Sequence, residues 1–463
     1  MPFREYRTYA DRSNGSPPCR RGAINPEHPV ALNTRSGGVR SPPSTANEVK
    51  RNGLLNEGAS EALDRLIRRH LLSRTAFAVI LMTTACGGDQ GANVPAAVIG
   101  DSAGIRVVDL TGVPTISTRA VGVDEGWLES FDLDVGRLGD VVPLAQGGAV
   151  ILDEMAGTVF VLDAGGMVVL EFGRLGEGPG EFSPHGGISR VLATDSSFLV
   201  PDIQLQRITE FSMEGEVLSI ITMPGSDPEE GPVFGVDWRD HPEGGIIFRA
   251  LHPEGDRILW SRGGGVQTLH VFDMPWPSGN QLLPPTALWD VDREGDLVLG
   301  RSDRGRVERR ATDEGAPRWV TRWEDDGGEL TTRDRTHLED LLVLAAEEQG
   351  LGSIPAEERE RILSSVTLPD SVPVVASVLA DERGRTWVQG ATPIPEMGLE
   401  AMRVGSSAGF GGSEWRVLGR NGTLEEVISL PRGFTPRRFV GDCMFGILED
   451  DLGIQRPARV CVD

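Results

Sequence analysis

From about residue 136 to the C-terminus, apolar and polar positions alternate in short runs cut by Asp-x-x-Gly and Gly-Gly steps. Alternation with period two puts successive side chains on opposite faces, so each run predicts a short strand and each cut a tight turn. In AVILDEMAGTVFVLDAGGMVVLEFG, Asp153 closes one strand, Val159 opens the next and Gly166 turns the chain into a third. In FLVPDIQLQRITEFSMEGEVLSIITMP the same places are taken by Asp202, Ile208 and Gly215, each 49 residues further on. Three landmarks keeping one spacing without a gap define an internal repeat.

The unit recurs with slippage, at about 136–180, 187–224, 233–274, 287–325, 373–431 and 434–463. Repeats of near fifty residues with about four strands each read as propeller blades. The fold expected over residues 105–463 is therefore all-β, a six-bladed β-propeller of four-stranded antiparallel blades. The last unit has strands for only three positions. A ring should close without an exposed edge, so GIRVVDL or TISTRAVGV, near residues 105–122, is expected to supply the outer strand of blade six.

Two segments interrupt the repeat. GRLGEGPGEF (173–182) is glycine-rich, but a phosphate cradle needs a helix N-terminus and usually a Lys. This stretch has no Lys and runs into Pro184 and further glycines, so it reads as the link between blades one and two. Between blades four and five, about 331–366, Leu338, Leu341, Leu342, Leu344 and Ala345 follow helical spacing, Gly350 ends that helix and Pro355 begins a second. The pattern leaves open whether this insertion caps one face of the ring or packs as a flank.

The stretches Gly147–Asp153, Val159–Gly166 and Phe172–Phe182, the last carrying Gly-x-Gly-Pro-Gly-Glu-Phe, resemble a bacterial six-bladed β-propeller family related to NHL repeats. The resemblance covers nearly all of residues 105–463. It implies exported, often lipid-anchored proteins, mostly of unassigned function, and so speaks to the fold more than to an activity.

Composition changes the picture at the N-terminus. Both tyrosines (Tyr6, Tyr9) and the single lysine (Lys50) lie upstream of residue 60, whereas all nine tryptophans lie beyond residue 120. Residues 1–66 read as disordered or as an over-extended gene start, and 67–86 as a signal peptide with a basic flank, an apolar run too short to span a bilayer, and Cys86. Met82-Thr83-Thr84-Ala85-Cys86 resembles a lipoprotein box, with Thr83 where Leu is usual; the alternative is ordinary cleavage after Ala85. Residues 87–104 read as a linker. Either cleavage exports the chain, lipid-anchored at the cell envelope (periplasmic or surface-facing) or secreted and soluble.

The formal charge of the whole chain is −24, and without residues 1–85 it is −30. Such a field repels nucleic acid and anionic lipid, leaving the lipid on Cys86 as the only route to a membrane. With no Lys beyond residue 50, Schiff-base and lysine-base chemistry are excluded from the exported part.

A three-residue turn at Asp451-Leu452-Gly453 would set Cys443 opposite Cys461 as a disulfide stapling blade six, with Ile447 facing Pro457 in the same register; two buried thiols are the alternative. His241 and His252 each begin an HPEG turn, and no HExxH, Gly-x-Ser-x-Gly or CxxC motif occurs. DVDREGD (290–296) looks like a calcium loop but has Arg301 where the bidentate Glu belongs, so no metal or other cofactor is expected. Residues expected where inner strands converge on the central channel are Arg190, Asp237, Trp238, Trp289, Asp290 and Arg438. Aromatics beside carboxylates and arginines would suit a polar organic ligand, or they are packing tryptophans with rim charges. The function expected is a monomeric envelope protein that binds a ligand or protein partner without catalysis. The alternative is a metal-dependent hydrolase or lyase with a channel site of the gluconolactonase or amidating-lyase type.

Overall fold

The computed structural model describes residues 98–462, apart from 103, 112–116, 125–126, 129–132, 224–233, 253, 275–280, 313–314, 324–327, 349–352, 400–410 and 451. Six antiparallel sheets follow one another along the chain. Blade one is Leu138–Pro143, Ala149–Asp153, Thr158–Leu162 and Val168–Phe172; blade two is Leu192–Ala193, Ser197–Asp202, Arg207–Ser212 and Val217–Thr222. Blade three is Phe234–Asp240, Ile246–Leu251, Arg257–Arg262 and Gly265–Val271; blade four is Ala287–Val291, Leu297–Arg301, Arg306–Arg310 and Pro317–Arg322. Blade five is Val375–Ala380, Thr386–Ala391, Gly411–Leu418 and Leu424–Ser429; blade six is Phe434–Val440, Cys443–Glu449 and Gln455–Cys461. Within each blade the strands pair in chain order, first strand innermost, as a six-bladed β-propeller requires.

One turn recurs. Asp163, Asp292, Asp381 and Asp450 each accept the N–H two residues on, at 2.8–3.0 Å, while the glycine three residues on takes a left-handed φ of 74–87°. This is why Asp-x-x-Gly punctuates the strands: the carboxylate closes the turn, and only glycine adopts that φ without strain. His241 and His252 occupy the aspartate's place, their Nδ1 atoms accepting from the N–H groups of Glu243 and Glu254 at 3.2 Å. The HPEG histidines are turn residues.

The core is divided into slabs between neighbouring blades. Phe172, Phe182, Phe198 and Phe211 fill the slab between blades one and two. The loop 173–182 delivers Phe182 there: Glu181 pairs with Arg174 at 2.6 Å and accepts the Gly178 N–H at 2.8 Å, while the Arg207 guanidinium binds the Gly178 and Glu181 carbonyls. A Cβ on Gly173 would lie 2.5 Å from the Phe182 ring, which explains the glycine. The stretch is an interblade latch.

The N-terminal strands depart from expectation. Ile105–Asp109 pairs parallel with Pro317–Arg322 of blade four, with Val98–Ser102 outside it, so the end of the expected linker is a strand. Thr118–Ala120 pairs parallel with Leu424–Ser429 of blade five. Blade six is met by single residues and not by a paired strand: the Asp124 N–H donates to the Arg459 carbonyl at 2.8 Å, its carboxylate takes the Arg459 guanidinium, and Trp127 packs edge-on against Phe445 at 4.9 Å. The stretch 105–122 therefore does not complete blade six, which has three strands among the described residues. The physical reason lies in burial: fully buried Val108 shares a cluster with Leu110, Trp319 and Trp323 of the blade four–five slab, and Asp109 pairs with Arg322 at 2.7 Å. The segment is a belt along the outer edges of blades four, five and six.

Closure instead uses faces. Ile447 of blade six packs with Leu138 and Val141 of blade one, and the Leu138 N–H donates to Gln455 Oε1 at 2.9 Å. Cys443 and Cys461 are paired residues joined by a disulfide, Cα atoms 4.0 Å apart, with Ile447 opposite Pro457 and Gly453 left-handed in the turn as expected; Asp451 lies outside the described residues.

The insertion forms helices α1 (Thr332–Ala346) and α2 (Ala356–Ser364), the latter starting after Pro355; Gly350 lies outside the described residues. Thr331 and Asp334 cap α1 reciprocally, and Leu338 and Leu341 pack with Leu283, Ile394 and Met397. Because strands alternate in direction, interblade linkers and the loops joining second to third strands share one face of the ring. The insertion belongs to that face, packed on the linker before blade four and a blade five loop. Among the described residues no helix is long and apolar enough to cross a membrane.

Candidate functional site

Four inner strands carry a one-residue slip in pairing, at Gly139, Asp237, Ala376 and Arg437. A β-bulge re-aims the extra residue relative to strict alternation. Asp237 and Arg437 occupy the same strand position in blades three and six, which stand on opposite sides of a six-membered ring. Asp237 holds a left-handed φ of 53°, a strained conformation for a non-glycine residue.

Around these bulges charged groups converge. Asp140 is fully buried and accepts N–H groups of Val141 at 2.9 Å and Val191 at 3.0 Å; Arg438 meets it at 2.5 Å and Arg190 at 3.7 Å. Asp290 repeats this three blades on, taking Arg239 of the preceding blade at 2.6 Å and the Ala380 N–H of the following blade at 2.8 Å. Arg249 bridges Asp237 at 3.0 Å and Asp256 at 3.1 Å. Asp237 lies deep in the ring yet keeps 46% of its side chain open, which describes a water-accessible channel.

The pairing sets the charge states. Burial alone would raise the Asp140 carboxyl; Arg438, Arg190 and the Val191 N–H outweigh it and hold the group below the usual carboxylate range. Asp237 is likewise pushed up by burial but held down by Arg249, Arg239, Arg190 and Arg437. Burial, then the charge of Arg239, press the Arg190 guanidinium down to about 9, still cationic at neutral pH. Arg437 stands apart: among the described residues its side chain has no ion pair or hydrogen bond, and its Nε is buried without a partner.

Arg190, Asp237, Asp290 and Arg438 thus belong to one inner network. Trp238 and Trp289 do not face the channel: both are buried, Trp238 stacked on Phe248 at 4.6 Å and Trp289 beneath the Arg239 guanidinium at 5.2 Å. They are packing tryptophans. The sequence reading missed Asp140, Arg239 and Arg437, which lie on inner strands where a bulge reverses the facing that strict alternation assigns, and Arg249, which reaches the network from a second strand; the paired arginines of PRRFV were the available signal. Cys86 lies outside the described residues.

In DVDREGD, Asp292, Glu294 and Asp296 do come within metal-ligand reach of one another. Arg309, itself buried, contacts all three, with Asp296 at 2.8 Å and Glu294 at 3.3 Å, and so holds the place a cation would take.

No family profile and no curated protein matches the chain. Solved structures do. An exported protein of Bacteroides fragilis is 12% identical, with 75% of this chain and 98% of that one covered, at a TM-score of 0.42. Virginiamycin B lyase from Staphylococcus aureus is 11% identical (68% and 82% covered, TM-score 0.36), and the calcium-binding protein regucalcin from Agrobacterium tumefaciens 12% (75% and 95%, TM-score 0.38). At such values the fold rests on this chain's own sheets, and no activity carries over.

Proposed function

We propose that this chain is an exported propeller of the NHL-repeat-like type, anchored at the bacterial cell envelope by a lipid on Cys86, which acts as a monomer and binds a small polar ligand in its channel without transforming it. The observation that carries this reading is the pair of opposed bulges at Asp237 and Arg437, together with an Asp237 carboxylate that stays half open to water inside the ring's charge network. The carboxylates Asp140, Asp237 and Asp290 each have an arginine partner, an arrangement that suits recognition better than holding a metal.

The experiment compares the protein with Ala376→Trp, which fills the channel from the bulge of blade five. Each form is incubated with a small-molecule extract of the source cell and recovered for mass spectrometry. A compound retained unchanged by the native protein and not by the variant supports the reading. Equal retention by both, or recovery of a new product, overturns it. Membrane fractionation and acyl labelling lost in Cys86→Ser would support the anchor, and unchanged partitioning would remove it.

A further inference from the structure

Resting on that reading, the charges of the channel indicate what kind of ligand it takes. Arg190, Arg239, Arg249 and Arg438 are each engaged by Asp140, Asp290 or Asp237 within 3.7 Å. The pairs of Asp140 and Asp290 link neighbouring blades and act as ties of the ring, while Arg249 holds Asp237 within blade three. Arg437 does none of this work. It is placed by a bulge, its backbone carbonyl is held by Arg190 Nη1 at 3.2 Å, and its guanidinium has no carboxylate partner among the described residues.

A guanidinium in a partly enclosed channel, with one N–H wholly removed from water, lacks hydrogen bonds that burial makes costly to forgo. The group that restores them is an oxyanion, which a guanidinium fork meets through two parallel N–H···O bonds. Across the channel Asp237 offers the opposite polarity, a half-open carboxylate that accepts hydrogen bonds.

We propose that the channel binds a small oxyanion-bearing compound, its carboxylate or phosphate on Arg437 and its hydroxyl or amino donors toward Asp237. The residue's own neighbours agree. The charge of Arg437 is felt by Asp140, Asp237 and Glu154, but none of these carboxylates is within ion-pair distance of it, which leaves its hydrogen-bonding fork free for a ligand.

The test is thermal melting of the full chain with D-glucuronate, inorganic phosphate and D-glucose, each titrated to about 10 mM, on the native protein, Arg437→Gln and Arg437→Lys. A rise of about 2 °C or more with glucuronate or phosphate, absent in Arg437→Gln and partial in Arg437→Lys, is expected; which of the two acts identifies carboxylate or phosphate as the source. A rise with glucose equal to that with glucuronate would overturn the anion assignment while leaving the channel-binding reading intact. No rise with either anion, or a rise unchanged in Arg437→Gln, would also overturn it. Circular dichroism of both variants confirms that the ring is folded before the titrations are compared.

Discussion

Asp140 of blade one and Arg438 of blade six meet at 2.5 Å across the seam where the ring closes. In place of an interleaved strand, a buried ion pair and a packed apolar face join first blade to last. Asp140→Asn leaves Arg190 and Arg438 without their carboxylate, and should cost about 3–5 kcal/mol in guanidinium denaturation.

The same pair has a pH signature. The folded Asp140 carboxyl lies below the ordinary range, so the unfolded chain binds the proton more readily. Its stabilisation is full above the unfolded value of about 4 and is lost as pH falls through the folded value. The difference in stability between native protein and Asp140→Asn should therefore be constant from neutral pH to about 5 and shrink below about 4, read by denaturation at each pH.

Phe182 is fully buried between blades one and two and packs on Phe211, ring centroids 6.0 Å apart. Phe182→Ala should lower stability by about 3–5 kcal/mol. Arg174→Ala, which removes only an exposed partner of Glu181, should change it by less than about 1 kcal/mol. Denaturant midpoints of the two variants separate the plug from its surface ties.

Arg309 fills the acidic turn of blade four. Calcium should leave the melting temperature of the native protein unchanged, because a guanidinium already neutralises Asp292 and Asp296. Arg309→Met should be destabilised by about 3–5 kcal/mol, since buried Asp292 loses its counter-charge and buried Asp296 keeps only Arg318. Calorimetry with added calcium checks both statements.

The Cys443–Cys461 bridge closes a loop of separation 18 in the three-stranded blade. Its loss in the double variant Cys443→Ser, Cys461→Ser should cost about 2–4 kcal/mol, and a non-reducing peptide map should contain the linked pair.

The ring was legible in the sequence because its signals are local and repeated. The 49-residue spacing of Asp153 and Asp202 survives because the two residues do the same work: Asp153 accepts the Gly136 N–H at 2.9 Å and Asp202 the Ser183 N–H at 2.8 Å. The belt was not legible. Ile105–Asp109 pairs with residues some two hundred positions away, and alternation shows that a segment is a strand without showing which edge receives it. The channel was half legible. Asp290 could be placed by counting along its unbroken inner strand, whereas Asp237 and Arg437 both sit at bulges, which change the parity of the count, and of the two only Asp237 was singled out.

The belt also has a temporal side. Residues 105–124 leave the ribosome before any of their partners in the blades, since Arg322, Ile428 and Arg459 follow some 200 to 335 positions later. Until then the chain carries an apolar ribbon with no place to lie, and pairings this distant in sequence form slowly. The ribbon is made first and seated last, so a holding factor that masks IRVVDL for that interval would decide how much of the protein reaches its ring.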